Sequence, residues 1–172
     1  TLNKDNQILN NYWLHHWLNE VYLTLNLASQ SPISSTIPVI INDAAINAFA
    51  LPGNIIGINT GLWLAADSED ELASVLAHEI AHISLDHFSR LGQNSNKQTL
   101  TLATGILLSL LLSQENPEAA NAALISSLAA SSQAQLNFSQ AMETEADQLA
   151  QQTMWQANYD PEAGRLFFQK LG

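Results

Sequence analysis

Leu72, Leu76, Ile80 and Ile83 recur at helical spacing, and together they predict a helix over about 69–90. Its start is legible as well. Ser68-Glu69-Asp70-Glu71 reads as a capping box, with Ser68 as N-cap and Glu71 three residues on. Asp67, Glu69 and Asp70 place further negative charge at the positive end of the helix dipole. Upstream, residues 8–27 pattern as an amphipathic helix, and 31–35 as a loop. Three strand-like runs follow, at 38–42, 47–51 and, after the Pro52-Gly53-Asn54 turn, Ile55–Asn59. Downstream, residues 92–96 break the central helix. Residues 99–112 are strongly apolar but shorter than the roughly 20 residues that a membrane span needs. Pro117 opens a long helix towards Asn158, and Asp160-Pro161-Glu162 opens a last one ending at Gly172. The order predicts an α+β fold, mainly helical, with a small β-sheet beside the central helix.

Composition narrows this picture. At 172 residues the chain is expected to form a single domain with a real core, and a hydrophobic content of 47% argues against disorder. The net charge is −11, with only Lys4, Arg90, Lys97, Arg165 and Lys170 basic. Such a chain repels nucleic acid and anionic membrane surfaces, so neither is an expected partner. The absence of cysteine excludes disulfides and thiolate metal ligands. Thr1-Leu2-Asn3-Lys4 has neither the basic nor the apolar region of a signal peptide, so the expectation is a mature or trimmed form. Residues 98–142 carry only Glu115 and Glu118 as charges, which predicts a buried helical hairpin. An apolar cover over a cleft, or a partner surface, is the other reading.

The chemistry sits in the predicted central helix. His78-Glu79-Ile80-Ala81-His82 is an H-E-x-x-H pattern. On a helix, His78 and His82 lie one turn apart, so both imidazoles can reach one zinc ion. Glu79 is turned about 100° from His78. It can face a water in the metal's open position and act as the general base. Two histidines at this spacing, opposite an apolar stripe and with Glu between them, are poorly explained as core histidines. His87 falls about 180° from His78 and is read as a packing residue. His15 and His16, in the aromatic first helix, receive no metal role. The third ligand must then be a distant carboxylate. The best candidate is Glu143, which shares a helix face with Asp147 one turn on. One can bind the metal while the other accepts the N–H of a ligand imidazole. Glu145 points away and is expected to be solvated. The plain alternative is a charged helix face, but residues 119–142 hold no charge at all before this cluster.

His78-Glu79-x-x-His82 followed by Glu143-x-Glu145-Ala146-Asp147 resembles the gluzincins of metallopeptidase family forty-eight. The segments Ile46-Asn47-Ala48-Phe49-Ala50 and Gly57-Ile58-Asn59-Thr60-Gly61-Leu62 look like the strand before that family's zinc helix. The likeness covers roughly 37–172 and is greatest to the BepA-type periplasmic branch. The resemblance implies a zincin-like metalloprotease domain with one Zn²⁺ per chain, Glu143 as third ligand and Asp147 as its supporting acid. It also implies a location in the periplasm of a Gram-negative bacterium and a tetratricopeptide-repeat domain after this one. Family members commonly carry Arg where this chain has Gln140.

The function expected is a zinc endopeptidase acting on misfolded or unassembled envelope proteins, with the outer-membrane assembly machinery as a partner. The alternative is a chaperone-like assembly factor with a latent or slow protease site. Ile55, Ile56, Gly57, Ile58 and Asn59 are expected to form an edge strand that substrate joins as a further strand, with Gly57 admitting a close backbone.

Overall fold

The structure is a computed structural model that describes Leu9 and residues 11–51, 53–95 and 116–171. The apolar run 99–112 lies outside the described residues. The chain divides into two compact units, residues 1–86 with 145–172, and residues 87–144. Its architecture is mainly helical with one three-stranded sheet, the α+β class expected.

The first unit begins with α1 (Tyr12–Ala28). Asn11 caps it, its side-chain carbonyl accepting from the N–H groups of Trp13 and Leu14 at 3.1 and 3.2 Å. The sheet comprises β1 (Ile37–Ile41), β2 (Ala48–Leu51) and β3 (Ile55–Asn59) in the order β1-β3-β2. β1 runs parallel to β3, with Ile37 opposite Ile55, and β2 runs antiparallel, with Ala48 opposite Ile58. Gly53 and Asn54 both take positive φ, as tight hairpin turns require. A short helix the pattern did not predict, α2 (Thr60–Ala65), leads into α3 (Glu69–Ser84).

β3 is therefore the central strand, paired on both sides, and the expectation that Ile55–Asn59 forms an open edge is overturned. The physical reason is its composition. Ile56 and Ile58 are buried on one face and Gly57 and Asn59 on the other, and a strand shielded on both faces belongs in the middle of a sheet. Gly57 also has a structural purpose. It stands opposite Phe49, and a methyl there would lie 2.6 Å from Phe49 Cε2. Gly57→Val should thus destabilise the fold by about 1–3 kcal/mol through overpacking. Denaturant midpoints would show this, and Phe49→Ala should rescue much of it. Destabilisation untouched by Phe49→Ala would remove the ring as the cause.

α3 is the centre of this unit. Residues 72–77 are all buried, and Leu76 and Ile80 are only 1% exposed. The helix packs against β2, α1 and α6 (Ala163–Leu171). Ser68 Oγ accepts from Glu71 N–H at 3.2 Å. The Glu71 carboxylate reaches back to Asp67 N–H at 2.7 Å, one residue beyond the usual partner in a capping box. Glu69 accepts from Trp17 Nε1 of α1 and from the Tyr159 hydroxyl, both at 3.0 Å. Lys170 of α6 donates to Asp67 and to the Ala65 carbonyl, each at 2.6 Å. The acidic start of α3 thus ties neighbouring elements to it.

Burial and the hydrogen bond to Glu69 push the Tyr159 hydroxyl up to about 12, with the charges of Glu69 and Asp70 adding to the rise. A folded value above the unfolded one means that Tyr159 favours the native state fully below pH 10 and loses that contribution between pH 10 and 12. Tyr159→Phe should flatten stability across that window, measured as denaturant midpoint against pH. An unchanged slope would assign the loss to other groups.

α3 ends earlier than expected. Asp86 adopts φ +53 after Ser84, and helix resumes over 87–95 as α4, with Gly92 inside it. An Asp tolerates the left-handed conformation, and Leu85 and Asp86 N–H close the turn onto Ala81 and Ile83. The break expected at 92–96 is not seen over 92–95.

α5 (Pro117–Gln156) runs through 40 residues and contributes to both units. Asn116 caps its start, accepting from Ala119 N–H, with Pro117 as the first helical residue. At its end Asn158 takes φ +62, and Tyr159 and Asn158 N–H reach the Met154 and Trp155 carbonyls, a Schellman cap. In the second unit the expected burial is not met over 116–142. Ile125, Leu128 and Leu136 are each at least half exposed, while Ala120, Ser131 and Met142 are buried. Alanine and glutamine supply helix propensity there without a continuous apolar face.

Candidate metal centre

His78 and His82 are placed by the buried stripe of α3. With Leu72, Leu76 and Ile80 turned into the core, the opposite face carries both imidazoles. Their Nε2 atoms lie 2.9 Å apart, and the ring centroids 4.6 Å apart at an interplanar angle of 70°. Two nitrogens bound to one tetrahedral zinc at about 2.0–2.1 Å lie about 3.3 Å apart. The observed separation is a few tenths shorter, so both rings aim at a common point.

Asp147 is one turn after Glu143 on the continuous helix α5. Its Oδ1 lies 2.9 Å from His78 Nδ1. A carboxylate at that distance holds the proton on Nδ1 and leaves Nε2 with its lone pair outward. His78, His82 and Glu143 each offer one ligand atom, and these atoms lie within 4.8 Å of one another. Two imidazoles and a carboxylate form the three-ligand set of a catalytic zinc site, in which a fourth position stays open. The donor set therefore fits the metal implied by the sequence.

The other candidates fall elsewhere. Glu79 is half-buried on α3 and is not a member of the three-ligand group. His87 is 1% exposed and lies in α4, beyond the break in the helix. The His15 ring nitrogen Nε2 lies 2.6 Å from the Leu9 carbonyl, and His16 stacks on Tyr12. Glu145, expected to be solvated, is instead half-buried, whereas Glu143 is exposed. Ile55–Asn59 are in the central strand and present no open edge.

Two features were not anticipated from sequence. A cavity of about 460 Å³ adjoins His78 and Asp147, and α6 supplies one wall through Gly164, Arg165 and Phe168. Among the described residues, β2, beside α3, is paired on one side only, by β3. Asn59 N–H donates to Asn47 across the hairpin, so the hydrogen-bonded pairs alternate through Phe49 and Leu51. Ala48 and Ala50 consequently turn their N–H and C=O groups outward. No local sequence signal marks either feature, because each arises from where distant elements pack.

The family model of peptidase family M48 matches residues 9–171. Among curated relatives, a putative beta-barrel assembly-enhancing protease of Vibrio cholerae is 40% identical over 131 residues, covering 76% of this chain and 27% of the relative. The beta-barrel assembly-enhancing protease of Escherichia coli is 32% identical over 164 residues, covering 95% and 34%. The mitochondrial metalloendopeptidase OMA1 of Arabidopsis thaliana is 29% identical over 169 residues, covering 98% and 32%. The chain thus spans about a third of the length of the curated relatives it matches. With the family match running through all of the helices and strands described above, the chain belongs to peptidase family M48, the metalloproteases, and is BepA-like within it.

Proposed function

We propose that this chain is the catalytic domain of a zinc endopeptidase, with His78, His82 and Glu143 as metal ligands and Glu79 as general base. The observation that carries this reading is the convergence of the two Nε2 atoms on one point, with the Glu143 carboxylate within ligand reach. When bound, zinc supplies a Lewis acid for the scissile carbonyl and acidifies a water. The protein's own groups do the rest. Asp147 keeps the proton of His78 on Nδ1. Glu79 accepts a proton from the attacking water and returns it to the departing amine.

Substrate joins the outward edge of β2, in place of the strand expected from sequence. The exposed Ile46 and Leu51 flank that edge, and main-chain pairing makes little demand on sequence. This suits misfolded or unassembled segments. The location we infer is the periplasm of a Gram-negative bacterium, supported by the family likeness and by relatives named for beta-barrel assembly. No helix among the described residues is long and apolar enough to cross a membrane. An accompanying role as assembly factor for outer-membrane proteins is favoured by the exposed Ile125, Leu128 and Leu136 in the second unit.

Metal analysis and casein digestion test the reading together. One zinc per chain is expected, with digestion lost to a chelator and restored by zinc. A metal-free protein that digests casein, or a zinc-loaded one that digests nothing, would sink it. Asp147→Ala should weaken zinc affinity about 10–100-fold, measured by competition with a chromophoric chelator. Unchanged affinity would leave the contact with His78 without a role in metal binding.

A further inference from the structure

The cavity of about 460 Å³ in the first unit is not used by the chemistry above. His78 and Asp147 are among its lining residues, so it adjoins the candidate centre. Ala150 and Met154 of α5 and Phe168 of α6 supply apolar surface. Gly164 lets α6 approach α3 closely, since a methyl there would lie 3.0 Å from Ser74 Cβ and Oγ. Ser74 Oγ donates to the Glu71 carbonyl at 2.7 Å, so its hydroxyl is already engaged.

The charged groups that line the cavity are engaged as well. Arg165 Nε donates to Glu162 at 2.7 Å, and Asp147 contacts His78 Nδ1 at 2.9 Å. Neither sign of charge is offered an unpartnered counter-ion, and the remaining surface favours apolar groups. The volume falls within the roughly 300–1,000 Å³ of small-ligand pockets and exceeds what a small side chain would fill.

We propose that this cavity is the specificity pocket of the peptidase and receives a bulky apolar side chain, of the leucine-to-phenylalanine class, from a substrate residue flanking the scissile bond. This deepens the proposed function and rests on it. Met154 and Phe168 set the pocket's size. Gln151, exposed on α5, lines the pocket where a bulkier side chain would obstruct it. A strand held on the β2 edge is read through its main chain, so the pocket supplies the sequence preference that edge pairing lacks.

The test uses the zinc-loaded full-length protein and a peptide series varied at each position around one cleavage site, together with mass spectrometry of a casein digest. Wild type should favour leucine or phenylalanine over alanine at one fixed flanking position by at least about tenfold in kcat/KM. Gln151→Trp should block the pocket and collapse that ratio, and Phe168→Ala should shift it towards larger side chains, with zinc content unchanged in both. Both positions are exposed, so folding is preserved. As a readout independent of turnover, Glu79→Gln protein should bind the leucine peptide more tightly than its alanine counterpart. Cleavage with no such preference, or a preference that both variants leave intact, overturns the pocket assignment while the peptidase reading stands. Absence of any cleavage that depends on Glu79 overturns both.

Discussion

Exchanging Glu79 for Gln should leave a folded, zinc-binding protein whose peptidase activity falls about a hundredfold or more. Gln preserves the size and shape of the side chain but cannot take a proton. Glu79 is half-buried on α3 and stands outside the group of His78, His82 and Glu143, so the metal should be retained. Ser68 and Glu71 cap α3 and residues 72–77 anchor it in the core, so the variant should still fold, as its thermal unfolding would show. Casein hydrolysis at matched zinc content is the measurement. Wild-type turnover in the variant would remove Glu79 from the mechanism, and loss of zinc would recast it as a ligand.

Removing the proposed carboxylate ligand should have an effect of comparable size. Glu143→Ala is expected to weaken zinc affinity by more than the roughly 10–100-fold that follows loss of a group hydrogen-bonded to a ligand. Activity should fall in parallel at limiting zinc. Glu143 is exposed on α5 and the helix is anchored beyond it by Ala146, Ala150 and Met154, so the fold should survive. Metal content after dialysis, set beside Asp147→Ala, separates the two acids. Full occupancy in Glu143→Ala, with loss in Asp147→Ala, would exchange their roles.

The fold and the site rest on two kinds of information. The His78-Glu79-x-x-His82 helix was legible from local pattern alone, because the 3.6-residue period fixes which side chains share a face. The Ser68 cap and the stripe of Leu72, Leu76 and Ile80 follow from the same geometry, as does the pairing of Glu143 with Asp147 one turn on. Helix starts were legible at Ser68 and Pro117 because capping is a matter of a few adjacent residues. The break at Asp86 was not, since one residue in the left-handed region costs little and Gly92 looked the better breaker.

Strand order belongs to the second kind. The pattern located Ile55–Asn59 to the residue, yet it could not say that this strand would lie between β1 and β2. Strand pairing joins residues far apart in sequence, and its outcome depends on which faces the helices cover. The same holds for the 2.9 Å contact of Asp147 with His78, which are 69 residues apart, and for the cavity that α6 completes beside them. The sequence by itself determined the helix with its paired histidines and adjacent glutamate, the acidic pair on a second helix, and the mainly helical class. Only the tertiary structure decided which acid meets which histidine, which strand offers an open edge, and what pocket adjoins the site. Helical periodicity acts over a single turn, whereas those three outcomes depend on how distant, individually undirected apolar faces pack together.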